Sequence, residues 1–216
     1  MPKLQIIIGS TRPGRAADLV APWVIERAQT HGGFEVEVID LRDWPLPMFE
    51  ETFATVGDFN DPTYSASIVR AWNLKMREGD AYLVITPEYN HSVPAVLKNA
   101  IDSVFVSFAF RNKPLLSIGY SGGLAGGVRA IEHLAQIAVE AEMVPIRTVT
   151  LFPQVHEAFD EGIPVNPMAE LSLRIGLDDL MWWSEVLAAA RSEGQLPPAA
   201  FRIRTAALEE LEEESV

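Results

Sequence analysis

Three short stretches of the chain bring together residue types that could do chemistry. The first is Gly9-Ser10-Thr11-Arg12-Pro13-Gly14-Arg15, between an apolar run and a helical pattern. Backbone N–H groups at a helix start point outward, and the helix dipole favours an anion there. Ser10 and Thr11 add hydroxyls and Arg12 and Arg15 add guanidiniums, so a phosphate suits the loop by position and by chemistry. The bland alternative is a tight turn with surface arginines, which an otherwise acidic chain disfavours. The spacing Gly9–Gly14 approximates a Walker A loop, but Arg15 and Ala16 stand where the lysine and the magnesium-binding hydroxyl belong. Nucleoside triphosphate hydrolysis is therefore not expected. G-x-G-x-x-G occurs nowhere, which argues against a Rossmann dinucleotide site.

The second stretch is Thr86-Pro87-Glu88-Tyr89-Asn90-His91-Ser92-Val93-Pro94. The prolines stiffen both ends. Between them, main-chain groups, the Asn90 amide and the Tyr89 ring could read the edge of a planar heterocycle. An ordinary turn with Ser92 capping the next helix explains the same residues equally well. The third stretch, Gly119-Tyr120-Ser121-Gly122-Gly123-Leu124-Ala125-Gly126-Gly127, lets backbone approach a flat ligand. It also matches the nucleophile elbow G-x-S-x-G, with Ser121 as a hydrolase nucleophile. That reading needs a later acid and histidine. Only His133 and His156 follow, no Asp lies between Ser121 and His156, and His133 is expected mid-helix and away from the ligand edge.

Apolar runs and periodicity supply the elements that must hold these loops. Leu4–Ile8, Phe34–Asp40, Ala81–Thr86, Leu115–Tyr120 and Pro145–Leu151 read as strands. Helical patterns fill about Arg15–His31, Ser67–Arg77, Pro94–Phe105, Gly126–Met143 and Met168–Arg191. Residues 42–63 and 152–167 read as long loops. Alternation of this kind predicts an α/β domain: a doubly wound, five-stranded parallel sheet of order 2-1-3-4-5 with helices on both faces. In that order the loops after strands 1, 3 and 4 converge at the carboxyl edge of the sheet. Those are the three stretches above. The domain is expected to span residues 1–195, with residues 196–216 a Pro-started acidic tail, solvated and partly disordered.

Composition narrows the function classes. The chain has 216 residues, 48% hydrophobic and 22% charged, with a formal net charge of −13. A nucleic-acid binder carries the opposite sign. Cysteine is absent, which removes disulfides, thiolate nucleophiles and cysteine-held metals, and no cluster has metal-ligand spacing. Neither a signal peptide nor a membrane span of about 18 apolar residues is visible, so a cytoplasmic location is expected. Trp182-Trp183 and Phe105–Phe110 suit buried core or a subunit contact.

The first two stretches, together with Leu97-Lys98-Asn99-Ala100-Ile101-Asp102, resemble the NADPH-dependent FMN reductase family, which has a flavodoxin-like fold and includes quinone, azo-dye and chromate reductases. Tyr120-Ser121-Gly122-Gly123 and the stretch Asp40-Leu41 through Pro45-Leu46-Pro47-Met48-Phe49 are similar to further family segments. The resemblance covers about residues 3–150. It implies FMN as cofactor and NADPH or NADH as co-substrate. Ser10, Thr11, Arg12, Gly14 and Arg15 would hold the phosphate, Pro87, Glu88, Tyr89 and Asn90 would line the isoalloxazine, and Ser121, Gly122 and Gly123 would flank it. Hydride would pass from NAD(P)H through flavin to a quinone, free flavin, azo compound or similar small acceptor in a ping-pong cycle, with no side chain required as a proton donor. A homodimer or homotetramer is implied as well. A flavodoxin-like carrier without NAD(P)H activity is the main alternative.

Overall fold

A computed structural model describes residues 1–58 and 61–214. The sheet has the expected order, β2-β1-β3-β4-β5, and every pairing is parallel. Its strands are β1 (Lys3–Ile8), β2 (Glu35–Asp40), β3 (Ala81–Pro87), β4 (Pro114–Tyr120) and β5 (Val144–Phe152). Helices α1 (Ala17–His31) and α6 (Pro167–Glu193) cover one face; α3 (Ser67–Glu78), α4 (Ala95–Asp102) and α5 (Val128–Glu140) cover the other.

Alternation along the strands feeds two cores. Leu4, Ile6, Ile8, Leu83 and Ile85 pack with Trp23, Val24, Leu173 and Leu177. Ile7, Tyr82 and Val84 pack with Trp72, Met76, Leu97 and Leu134 on the opposite side. Successive strand side chains point to opposite faces, so strands buried on both read as unbroken apolar runs. The buried Trp72 satisfies its indole by donating to the Ala100 carbonyl at 2.7 Å, which ties α3 to α4.

Several boundaries differ from expectation. The segment 42–63 is partly ordered: a 3-10 turn at Leu41–Asp43 is followed by the short helix α2 (Phe53–Val56), while residues 59 and 60 lie outside the described residues. Helix α4 stops at Asp102, before Phe105, where the Ser103 hydroxyl donates back to the Asn99 carbonyl at 2.7 Å. Phe105 then begins a separate 3-10 turn, and Val106, Ala109 and Phe110 are core. The stretch 152–167 contains a hairpin, β6 (Phe159–Asp160) and β7 (Ile163–Pro164). Its two turn residues, Glu161 and Gly162, both have positive φ (46° and 82°), which suits a tight hairpin. Pro197-Pro198 lead into a further helix, α7 (Ala199–Glu214), whose described side chains are mostly exposed; residues 215 and 216 lie outside the described residues. Trp183 packs on the first core, and its neighbour Trp182 is 57% exposed. No helix among the described residues is long and apolar enough to cross a membrane.

Candidate active site

Parallel register brings the three loops together. Gly9 leaves β1 by donating its N–H to the Ile85 carbonyl, and Glu88 leaves β3 by donating to the Tyr120 carbonyl. The Ser121 N–H in turn donates to the Phe152 carbonyl, so each loop emerges beside the next strand. The Ser10 hydroxyl, fully buried, hydrogen-bonds the Tyr89 hydroxyl at 2.8 Å and joins the first loop to the second. Tyr120 is buried close by, its hydroxyl near that of Ser10 and the Ala17 N–H, and burial pushes its phenol above its ordinary range.

The two arginines of the first loop have different surroundings. Arg12 is exposed, has no carboxylate partner among the described residues, and lies 5.7 Å from the centre of the Tyr89 ring. Arg15 is buried. It grips both oxygens of Asp40 (2.6 and 2.5 Å) and donates to Asp18 at 2.8 Å and to the Ser10 carbonyl at 2.5 Å. Its guanidinium therefore faces the protein, in contrast to the phosphate-facing position expected from its place in the loop. The reason is register: Asp40 ends β2 directly beside Ile8, the last residue of β1. Asp40, held below the usual carboxylate range chiefly by Arg15, is a site-shaping residue that sequence reasoning missed. Strand order and strand lengths together carry the signal for it. Arg42 was missed too; it donates to the Arg12 carbonyl at 2.8 Å and pairs with Asp18 at 3.5 Å.

In the second loop, Tyr89 and Ser92 exchange backbone hydrogen bonds (2.9 and 3.1 Å), making a tight turn with Asn90 and His91 at its tip. Both tip residues have positive φ, 48° and 75°. Asn and His are among the non-glycine residues enriched there. Ser92 caps no helix: α4 begins after Pro94 without a side-chain cap, and the Ser92 hydroxyl instead meets His133 Nδ1 at 2.9 Å. His133 thus faces the second loop, against the expectation that it points away. The Glu88 side chain is buried and paired with Arg129 of α5.

Among the glycines of the third loop, some are required by the protein itself and others are not. A Cβ on Gly127 would lie 2.4 Å from the Tyr120 nitrogen, and its φ is 90°. Gly122 and Gly123 have nothing within 4 Å of a Cβ and no positive φ. Neither packing nor backbone conformation asks for glycine at those two positions, so the space beside them is room for something else. The Ser121 hydroxyl donates to the Gly123 carbonyl at 3.0 Å. Among the described residues no histidine or carboxylate engages it, and this removes the support for a serine hydrolase.

Residues 2–157 match the family model described as NADPH-dependent FMN reductase. The chain belongs to that family. Its relatives include an NAD(P)H-dependent FMN reductase of Schizosaccharomyces pombe, 31% identical over 175 residues, covering 81% of this chain and 84% of that one. A quinone reductase of Escherichia coli is 30% identical over 174 residues, covering 74% and 87%. Among solved structures, FerB, a flavoenzyme NAD(P)H:(acceptor) oxidoreductase from Paracoccus denitrificans, aligns with TM-score 0.69 at 23% identity over 86% of this chain and 98% of that one. An archaeal flavodoxin aligns with TM-score 0.54 at 14% identity, covering 84% and 98%, which shows the flavodoxin-like fold. The chain is accordingly an NAD(P)H-dependent, FMN-using oxidoreductase, not a carrier alone. The residues present suit FMN. Arg12, in the loop that leads into α1, offers a cation without a carboxylate partner among the described residues, and open space flanks Gly122 and Gly123 of the third loop.

Proposed function

We propose that the three converging loops hold FMN and that the enzyme passes reducing equivalents from NAD(P)H to a quinone, free flavin, azo compound or similar small acceptor. The observation that carries the site assignment is Arg12, a guanidinium without a carboxylate partner among the described residues in a chain of net charge −13. It stands in the loop that leads into α1, a helix whose dipole and open N–H groups favour an anion. Ser10, Thr11, Arg12 and the backbone at Gly14 bind the phosphate in this reading. Arg15 keeps the loop in shape through Asp40. Pro87, Glu88, Tyr89 and Asn90 present main chain to the isoalloxazine edge, and Ser121, Gly122 and Gly123 leave its other flank open to a second planar molecule.

Bound FMN supplies the hydride and electron transfer; the protein's part is binding, orientation and electrostatics. No side chain is assigned as a proton donor. The reading also takes the protein as a homo-oligomer acting inside the cell, where NAD(P)H is available. Met168, Leu171, Ile175, Trp182 and Val186 form an exposed apolar stripe along α6 that suits a subunit contact.

The deciding experiment is the visible spectrum of the purified protein before and after anaerobic addition of NADPH. Flavin bands that bleach on addition support the reading. A colourless protein that takes up no added FMN overturns it.

A further inference from the structure

Beside the three loops stands a group of basic side chains to which the flavin reading gives no role. Arg129 and His133 are four residues apart on α5 and share a face, which they turn toward the second loop. Arg129 holds the buried Glu88, and His133 holds the Ser92 hydroxyl. The His91 ring, exposed at the tip of the turn, lies with its centre 6.4 Å from that of His133. The tight turn aims His91 this way: its φ of 75° is the left-handed conformation in which histidine is enriched among non-glycine residues. The charged groups around the two imidazoles come from loop and helix alike. The second loop contributes Glu88, already paired, and α5 contributes Arg129 and the exposed Glu132. Ser121–Ala125 of the third loop contribute no charge.

We propose that His91 and His133 form a protonation-dependent subsite beside the second loop that selects acceptors carrying a negative charge beside their reducible ring. The inference rests on the flavin reading above and deepens it by naming an acceptor class. Imidazoles gain charge across the pH range where enzymes work. Protonated, the pair adds positive charge beside Arg129 in a chain whose overall field repels anions. Deprotonated, it leaves the Arg129–Glu88 pair, which is close to neutral, and the exposed Glu132 carboxylate, which adds negative charge.

The test compares a naphthoquinone sulfonate with menadione, an uncharged naphthoquinone, at saturating NADPH. In a ping-pong cycle, kcat/KM for the acceptor reports only the second half-reaction. The readout is the sulfonate-to-menadione ratio of kcat/KM at about pH 6 divided by that ratio at about pH 8. Intrinsic reactivity differences between the quinones cancel. The expected value is roughly tenfold, and raising the ionic strength should reduce it. In the double variant His91→Asn, His133→Asn it should fall to within about twofold. Asn tolerates the left-handed backbone at position 91, and at position 133 it can still reach the Ser92 hydroxyl. Flavin content, read from the spectrum, normalises each preparation. A ratio that does not move with pH in the unmodified enzyme overturns the proposal, as does one that ignores salt or persists in the double variant. Turnover of neither quinone by a flavin-loaded preparation overturns this inference alone, whereas a preparation that shows no flavin bands and takes up no added FMN overturns the flavin reading and this inference with it.

Discussion

At the scale of single residues, Arg12 and Arg15 stand three positions apart and have opposite surroundings. Arg12→Ala should leave the fold intact and weaken FMN binding about tenfold or more, the worth of one charge-assisted hydrogen bond, as read by flavin fluorescence titration. Arg15→Met should instead cost roughly 3 kcal/mol of stability in urea unfolding, because it strands Asp40 beside an apolar side chain. The same pair gives a pH signature. Arg15 lowers the Asp40 carboxyl in the folded state. The stabilisation is therefore complete above the carboxyl's ordinary value of 3.8 and is lost as pH falls through the lower folded value. The stability difference between the natural chain and Asp40→Asn should be constant from about pH 6 to 8 and shrink in acid below pH 4.

At the scale of elements, the third loop separates glycines that serve the fold from glycines that serve a ligand. Gly127→Ala should destabilise the apoprotein by about 2 kcal/mol, since its Cβ meets the backbone of β4 at 2.4 Å and its φ is 90°. Gly122→Ala and Gly123→Ala should change apoprotein stability by less than about 0.5 kcal/mol. Gly123→Leu, which fills the space that a bare Cβ leaves open, should weaken FMN uptake or acceptor turnover without a matching loss of thermal stability. Equal destabilisation at all three positions, measured by thermal unfolding, would contradict this division.

At the scale of the whole molecule, two features lie outside the flavin pocket. The exposed stripe on α6 should be the subunit contact, so Trp182→Glu is expected to convert an oligomer to a monomer in light-scattering chromatography while leaving the monomer folded. Helix α7 touches the body through Phe201 on Phe108 and the Ala199 N–H on Glu142, among other contacts. Ending the chain at Gln195 should shift the melting temperature by no more than about 3 °C.

Much of this protein was legible in its sequence because parallel strands buried on both faces read as short apolar runs, and the alternation of such runs with amphipathic helices dictates a doubly wound sheet. Strand order then determined which loops meet, so the loops of Ser10, Tyr89 and Gly122 could be expected at one edge of the sheet from the sequence alone. Tertiary structure decided the direction in which each side chain of those loops points. Register set Asp40 beside Ile8 and turned Arg15 inward. The turn closed by Tyr89 and Ser92 brought His91 to His133, 42 positions away in the chain. Local pattern specifies the period of a helix or strand, but the partner of a polar group is set by whichever elements lie against it, and those are assembled only when the sheet closes.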